Sequence, residues 1–221
     1  MVTGEKPTNA DASSSLTLEA AISPPLPPQP GPRVAGLVLA AGAGRRYGRP
    51  KALVRLDDGR LLVERAVGTA RDAGCRPVVA VLGADAARVR AHADLGDAVP
   101  LENPDWPTGM GSSLRAGLAA LAETAVVAAV VLLVDMPGIT AEAVRRLVVH
   151  AGPETLAVAG YGARRGHPVL LGRDHWPGVA ASATGDVGAR DYLRRHAAQV
   201  RVVRCDDVAD DTDLDVPPPA A

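Results

Sequence analysis

The chain has 221 residues, 47% of them hydrophobic, enough for one generous domain with a buried core and room for a tail. Lysine and arginine total 24 against 25 acidic residues, a formal net charge of −1, so the strongly basic face that a nucleic-acid partner requires is not expected. No apolar run approaches the roughly 18 residues of a membrane span, and the N-terminus, with Glu5 and Asp11 and no cationic start before an apolar stretch, does not read as a signal peptide.

Residues 1–32 form a first segment with its own composition. Pro7, Pro24, Pro25, Pro27, Pro28, Pro30 and Pro32 accompany Ser13, Ser14 and Ser15. Proline lacks the amide donor and fixes φ, so Ser23 to Pro32 can be neither a helix nor a central strand. The segment reads as a disordered leader, with recognition by a proline-binding module as the alternative. A domain is expected over 33–216 and a short tail over 217–221.

The ordered pattern begins at Val34. Val34 to Ala40 is an apolar run ending in glycines, the signature of a buried strand. Leu61 to Ala73 has helical apolar spacing, Pro77 to Leu82 reads as a strand and Ala84 to Ala93 as a helix. Leu114 to Leu121 is helical. The β-branched run Val126 to Val134 reads as a central strand, and Thr140 to Val149 as a helix with Thr140 as its N-cap. Leu156 to Ala159 and Pro168 to Leu171 read as short strands, Gly188 to His196 as a helix, and Val200 to Arg204 as a last strand. Strands alternating with helices predict a three-layer α/β/α sandwich around a mostly parallel sheet. Cys75 and Cys205 form no CxxC and no ligand cluster, which suits buried thiols in a reducing cytoplasm.

The first strand runs into Leu39-Ala40-Ala41-Gly42-Ala43-Gly44-Arg45-Arg46-Tyr47-Gly48-Arg49-Pro50-Lys51. Glycines at a strand end let several amides converge on one point and cradle phosphate oxygens, and four cations surround the loop. A P-loop needs glycine-lysine followed by serine or threonine; here Lys51 follows Pro50 and precedes Ala52. A dinucleotide fingerprint needs its third glycine one residue earlier, and Glu64, near the position of a ribose-binding acid, falls inside the predicted helix. The third reading is a nucleotidyltransferase signature, which the segment resembles almost throughout. Only Lys6 and Lys51 are lysines, all other cations being arginine, so a compact ammonium is indicated at position 51.

Two further segments carry chemistry. Asn103 to Gly117 places Gly109, Gly111, Ser112 and Ser113 at a predicted helix start, where amides and hydroxyls can meet a ligand or simply cap the helix. Asp135 ends the apolar strand, at the edge where open α/β sheets bind ligands. One carboxylate with phosphate oxygens suits Mg²⁺; a plain turn acid is the alternative. His167 taken alone reads as structural.

These motifs, with the D-M-P of 135–137, the G-H-P-V of 166–169, the G-D-V-G-A-R of 185–190 and the D-L-D-V-P ending of 213–217, resemble the MobA-like NTP transferase family over residues 33 to 216, in particular its cytidylyltransferase branch. The resemblance implies a Rossmann-like nucleotide-diphospho-sugar transferase fold. It implies a nucleotide, CTP rather than GTP, over Leu39, Ala40, Ala41, Gly42 and Gly44, with Arg46 and Lys51 on the phosphates. Ser113 and, second to it, Ser112 meet base and ribose. Asp135 and Asp186 hold Mg²⁺, and His167 and Arg190 lie on the acceptor side. The implied reaction moves NMP to a phosphorylated acceptor such as molybdopterin and releases pyrophosphate, with a molybdoenzyme or its chaperone as partner. Tyr47 stands where methionine is frequent, and Val216 where threonine is usual. A sugar-phosphate nucleotidyltransferase and a non-catalytic nucleotide-binding chaperone or sensor are the alternatives.

Overall fold

A computed structural model describes residues 32–45 and 47–214. The leader expected over 1–32 (Pro32 excepted), Arg46, and the tail expected over 217–221 lie outside the described residues.

Seven strands form one sheet: β1 (Val34–Ala40), β2 (Val78–Leu82), β3 (Val99–Glu102), β4 (Ala128–Leu133), β5 (Leu156–Tyr161), β6 (Arg164–Gly172) and β7 (Val200–Arg204), in the order β3-β2-β1-β4-β6-β5-β7. β6 alone runs antiparallel to its neighbours β4 and β5; the other pairings are parallel. β1 and β2 are buried along their whole length, which is why both read as continuous apolar runs.

Helices α1 (Leu62–Asp72), α2 (Ala86–His92), α3 (Met110–Ala122), α4 (Ala141–Val148), α5 (Trp176–Ser182) and α6 (Arg190–Arg195) cover the sheet on both sides. Val34, Val38 and Ala40 of β1 share one core with Leu62 and Ala66 of α1, Val89 of α2 and Leu147 of α4. Ala35, Leu37 and Leu39 point the other way, into a second core with Leu114 and Leu118 of α3, Val179 of α5 and Tyr192 of α6. The period-two alternation of a strand thus builds the expected three layers. Thr140 caps α4, its Oγ1 accepting the Ala143 amide at 3.2 Å. Among the described residues no helix is long and apolar enough to cross a membrane.

Several element boundaries differ from the sequence expectation. The strands expected at 156–159 and 168–171 are the two arms of a hairpin, longer on both sides of its turn. The Arg164-Arg165-Gly166 end of β6 carries no apolar alternation, which is why it does not read as strand in the sequence; its backbone pairing with β5 is joined by the Arg164–Asp211 ion pair. β3 was not expected. It contains Pro100 and alternates between half-buried and exposed residues, as an edge strand tolerates. α5 was also not expected, because Pro177 and Gly178 in its first turn mask a helix that tolerates proline there. α3 starts four residues before the expected Leu114, and α6 is shorter than 188–196.

β1 lies between β2 and β4, so the strand order reverses beside it, and the crevice for a ligand opens at the carboxyl ends of β1 and β4.

Candidate active site

A cavity of about 480 Å³ opens at this reversal point. Its wall is built from Leu39, Ala41, Gly42, Gly44, Arg45 and Lys51 of the first loop, Trp106 to Met110 and Ser113 of the 103–117 segment, Leu133 to Asp135 after β4, and Asp186.

The first loop turns at Gly44, whose carbonyl accepts the amides of Tyr47 and Gly48, both at 2.9 Å. Gly44 has φ +58°, and a Cβ there would stand 2.0 Å from the Arg49 carbonyl oxygen, so both backbone region and space demand glycine. Pro50 then starts a single 3₁₀ turn over Lys51–Leu53 and anchors it through buried Ala52. The turn aims Lys51 across the crevice, where its Nζ meets Asp135 Oδ2 at 2.9 Å, with side-chain exposures of 14% and 24%. Asp135 is held from behind as well: its carbonyl accepts the Leu214 amide at 2.8 Å. Leu214 therefore lies at the edge of the sheet and supports the acid. Arg49 lies over the Tyr47 ring at 6.0 Å, so of the loop's described arginines Arg45 is the one in the cavity wall.

The 103–117 segment is organised by Asn103, which is buried. Its Nδ2 donates to Ser112 Oγ at 2.9 Å and Ser113 Oγ at 3.0 Å, and its Oδ1 accepts the Asp105 amide at 3.0 Å. Ser112 Oγ also lies 2.9 Å from the carbonyls of Asp105 and Gly109. Its hydroxyl is occupied by the loop, and Ser112 is absent from the cavity wall, whereas Ser113 is part of it. Ala40 is likewise buried in the core rather than in the wall.

Asp186 comes from the loop before α6. Its Oδ1 accepts the Met110 amide at 3.3 Å, satisfying a free amide of the first turn of α3. The two loops touch backbone to backbone. Gly109 has φ +109°, a Cβ there would stand 2.4 Å from the Gly185 carbonyl carbon, and the Gly111 amide donates to the Gly185 carbonyl at 2.8 Å. This contact brings Asp186 into the same wall as Asp135.

His167 and Arg190 are not in that wall. Half-buried His167 lies in β6, its carbonyl accepting the Tyr161 hydroxyl at 2.7 Å. Burial pushes its imidazole down to about 4, against the opposing pull of Asp135 and Asp211, while Arg190 lowers it further. Asp211, buried and paired with Arg164 at 2.8 Å, stands beside this group and was not singled out in the sequence. Glu64 is structural, its two oxygens accepting the amides of Leu61 and Asp94, so the dinucleotide alternative loses its ribose-binding acid. Cys75 and Cys205 are buried free thiols, and burial pushes Cys75 up to about 12.

The shift at His167 has a consequence for stability. An unfolded imidazole titrates near about 6.5, so on acidification the unfolded chain takes up the proton before the folded one does. The stability associated with neutral His167 is complete above that value and is lost as pH falls towards about 4. His167→Gln is expected to flatten the Tm–pH curve in this window. A curve as steep as that of the wild type would show that His167 is not the group being titrated.

A family model described as MobA-like NTP transferase domain matches residues 36–200. Nicotine blue oxidoreductase of Paenarthrobacter nicotinovorans is 42% identical over 192 residues, 83% of this chain and 93% of that protein. A probable molybdenum cofactor guanylyltransferase of Opitutus terrae is 41% identical over 109 residues, 49% of this chain and 50% of the relative. Among solved structures, Rv0371c of Mycobacterium tuberculosis in complex with manganese is 28% identical with a TM-score of 0.62, covering 84% of this chain and 91% of that one. With its glycine loop, its Lys51–Asp135 pair and a cavity at the reversal point of the sheet, the chain belongs to the MobA-like NTP transferase family and carries that family's nucleotidyltransferase domain.

Proposed function

We propose that the protein transfers CMP from CTP to a phosphorylated acceptor, molybdopterin being the candidate, and releases pyrophosphate. The observation that carries this reading is the Lys51–Asp135 pair beneath a glycine turn, at the carboxyl ends of β1 and β4. An acceptor phosphate oxygen forms a bond to the α-phosphorus while the bond from that phosphorus to the β-phosphate bridging oxygen breaks. The acceptor is already ionised at neutral pH, so no general base is required. Such transfers rest on positioning and charge neutralisation. The amides of the loop and the cations of Lys51 and Arg45 face the charge that builds on the leaving pyrophosphate. Ser113 meets the nucleoside, and His167 and Arg190 face the acceptor.

Asp135 and Asp186 suit a divalent cation. Two carboxylates from separate elements reach one cavity, and among the described residues no cluster of three His, Cys, Asp or Glu forms a closed cage. Such an oxygen-only pair, completed by phosphate and water, would suit Mg²⁺; the support from outside the chain is that the mycobacterial Rv0371c was solved in complex with manganese. When bound, the cation neutralises phosphate oxygens.

Ala41 supports CTP as donor. It is buried in the cavity wall, its carbonyl held at 3.0 Å by the Ala84 amide, so its Cβ is fixed in place. A methyl at this point leaves room for a pyrimidine and crowds a purine, with discrimination of about 1–3 kcal/mol, or roughly 10- to 200-fold. The wild type is expected to show higher kcat/KM with CTP than with GTP or ATP, and Ala41→Gly to narrow the gap. Pyrophosphate release from the three nucleotides, with Mg²⁺ and molybdopterin, tests both points. Best use of GTP, or a ratio unmoved by the substitution, would remove Ala41 as selector; no pyrophosphate from any nucleotide would overturn the reading.

One observation favours a second reading: the relative matched over 93% of its length is named an oxidoreductase. Converging loop amides can receive a pyrophosphate as well as a triphosphate, although neither the glycine spacing nor Glu64 fits the dinucleotide fingerprint. Oxidation of a reduced nicotinamide dinucleotide by a dye, without pyrophosphate release, would select that reading.

A further inference from the structure

The chain is poor in aromatic residues, with two tryptophans, three tyrosines and no phenylalanine. Trp106 is the one aromatic residue in the cavity wall among the described residues. It opens the 3₁₀ turn Trp106–Thr108, and its backbone is tied at both ends: its amide donates to the Asn103 carbonyl at 3.3 Å, and its carbonyl accepts the Gly109 amide at 3.1 Å. The side chain lies on Gly83, at the end of β2. A Cβ on Gly83 would stand 2.6 Å from Trp106 Cβ and Cγ and 2.7 Å from the Ala41 carbonyl oxygen. The absence of a side chain at 83 therefore lets the indole settle next to Ala41. The other tryptophan, Trp176, is buried and donates its indole N–H to the Leu171 carbonyl at 2.9 Å. Trp106 is half-buried, and no described residue accepts a hydrogen bond from its indole.

An aromatic surface fixed by its backbone and set beside Ala41 in an otherwise aliphatic and charged wall suits one ligand chemistry, a flat heteroaromatic ring. Resting on the nucleotidyltransferase reading above, we propose that Trp106 is the stacking platform for the nucleobase. Every base presents a π-face, so the platform supplies affinity without choosing between bases. Trp106 and Ala41 thus divide the work: one holds the base and the other restricts its size.

The test titrates wild type, Trp106→Ala and Trp106→Phe with CTP, GTP and inorganic tripolyphosphate, each with Mg²⁺, by calorimetry. Trp106→Ala is expected to weaken CTP and GTP alike by about 10- to 100-fold, and Trp106→Phe by no more than about 3-fold. Tripolyphosphate, which touches the glycine loop and has no base, is expected to bind all three proteins equally. CTP is expected to change tryptophan emission in the wild type and not in Trp106→Phe, where buried Trp176 alone emits. Wild-type affinity for CTP in Trp106→Ala would overturn the proposal. So would a parallel loss of tripolyphosphate, which would make Trp106 a loop scaffold. Failure of the nucleotidyltransferase reading appears instead in the wild type itself, as CTP and GTP binding no tighter than tripolyphosphate, and the proposal falls with it.

Discussion

Lys51→Ala and Asp135→Ala are each expected to lower the rate of pyrophosphate release by about 10²–10³, the usual loss when one preorganised charge contact is removed from a transition state. The two side chains meet at 2.9 Å with little exposure, so each holds the other in the crevice; on the proposed reading Lys51 serves the phosphates and Asp135 the cation. Removing either breaks this part-buried ion pair, and the variants will also melt somewhat lower. Steady-state rates with saturating nucleotide, set beside Tm, separate the two effects: a folded protein with a collapsed kcat is expected in both cases. Lys51→Arg is expected to recover only part of the activity, because a planar guanidinium does not replace a compact ammonium in a 3₁₀ turn. Near-wild-type turnover in either alanine variant would remove that residue from the mechanism.

Gly44→Ala is the second large effect. The added Cβ would stand 2.0 Å from the Arg49 carbonyl oxygen and 3.2 Å from the Lys51 amide nitrogen, at a backbone φ of +58°. The left-handed conformation alone costs about 1–2 kcal/mol for a residue with a side chain, and the clash is with backbone, which cannot swing away. The loop must open, and Lys51 moves with it. Nucleotide and tripolyphosphate affinity are expected to fall together by about 10²-fold or more, since a misplacement of 1 Å already carries a loss of that order. The core around β1 stays intact, so Tm should change far less than affinity. Calorimetry with tripolyphosphate and Mg²⁺ measures the loss directly, and unchanged binding would show that the turn does not hold the phosphates.

Much of this site was legible one residue at a time. Glycine at 42 and 44, a lysine after proline in an arginine-rich chain, and an acid ending an apolar strand each announce a local physical requirement, and a residue type either meets it or fails. That a helix begins near Ser112 and Ser113 was legible although its first residue, Met110, was not, and the choice between the two serines was legible only in part. Ser112 and Ser113 are adjacent in sequence and about 100° apart around a helix, so the rotation of α3 against the sheet decides which one faces the cavity. That rotation is set by Leu114 and Leu118 in the core and by the buried Asn103 that holds both hydroxyls. Nothing in an Asn-Pro dipeptide signals such burial. Trp106 carries no local signal of a role for a similar reason, since its place depends on Gly83 beneath it.

By itself the sequence determined most of the alternation of strands and helices, the glycine loop and the identity of the charged groups, because apolar period, glycine and proline act within a few residues of themselves. The tertiary structure decided which of those groups meet. Lys51 and Asp135 are 84 positions apart, and Met110 and Asp186 are 76 apart. Each pair comes together only through the order of the strands and the close backbone approach of Gly109 to Gly185. Those contacts depend on loop closure and packing across the whole sheet, and no local pattern of residue types encodes them.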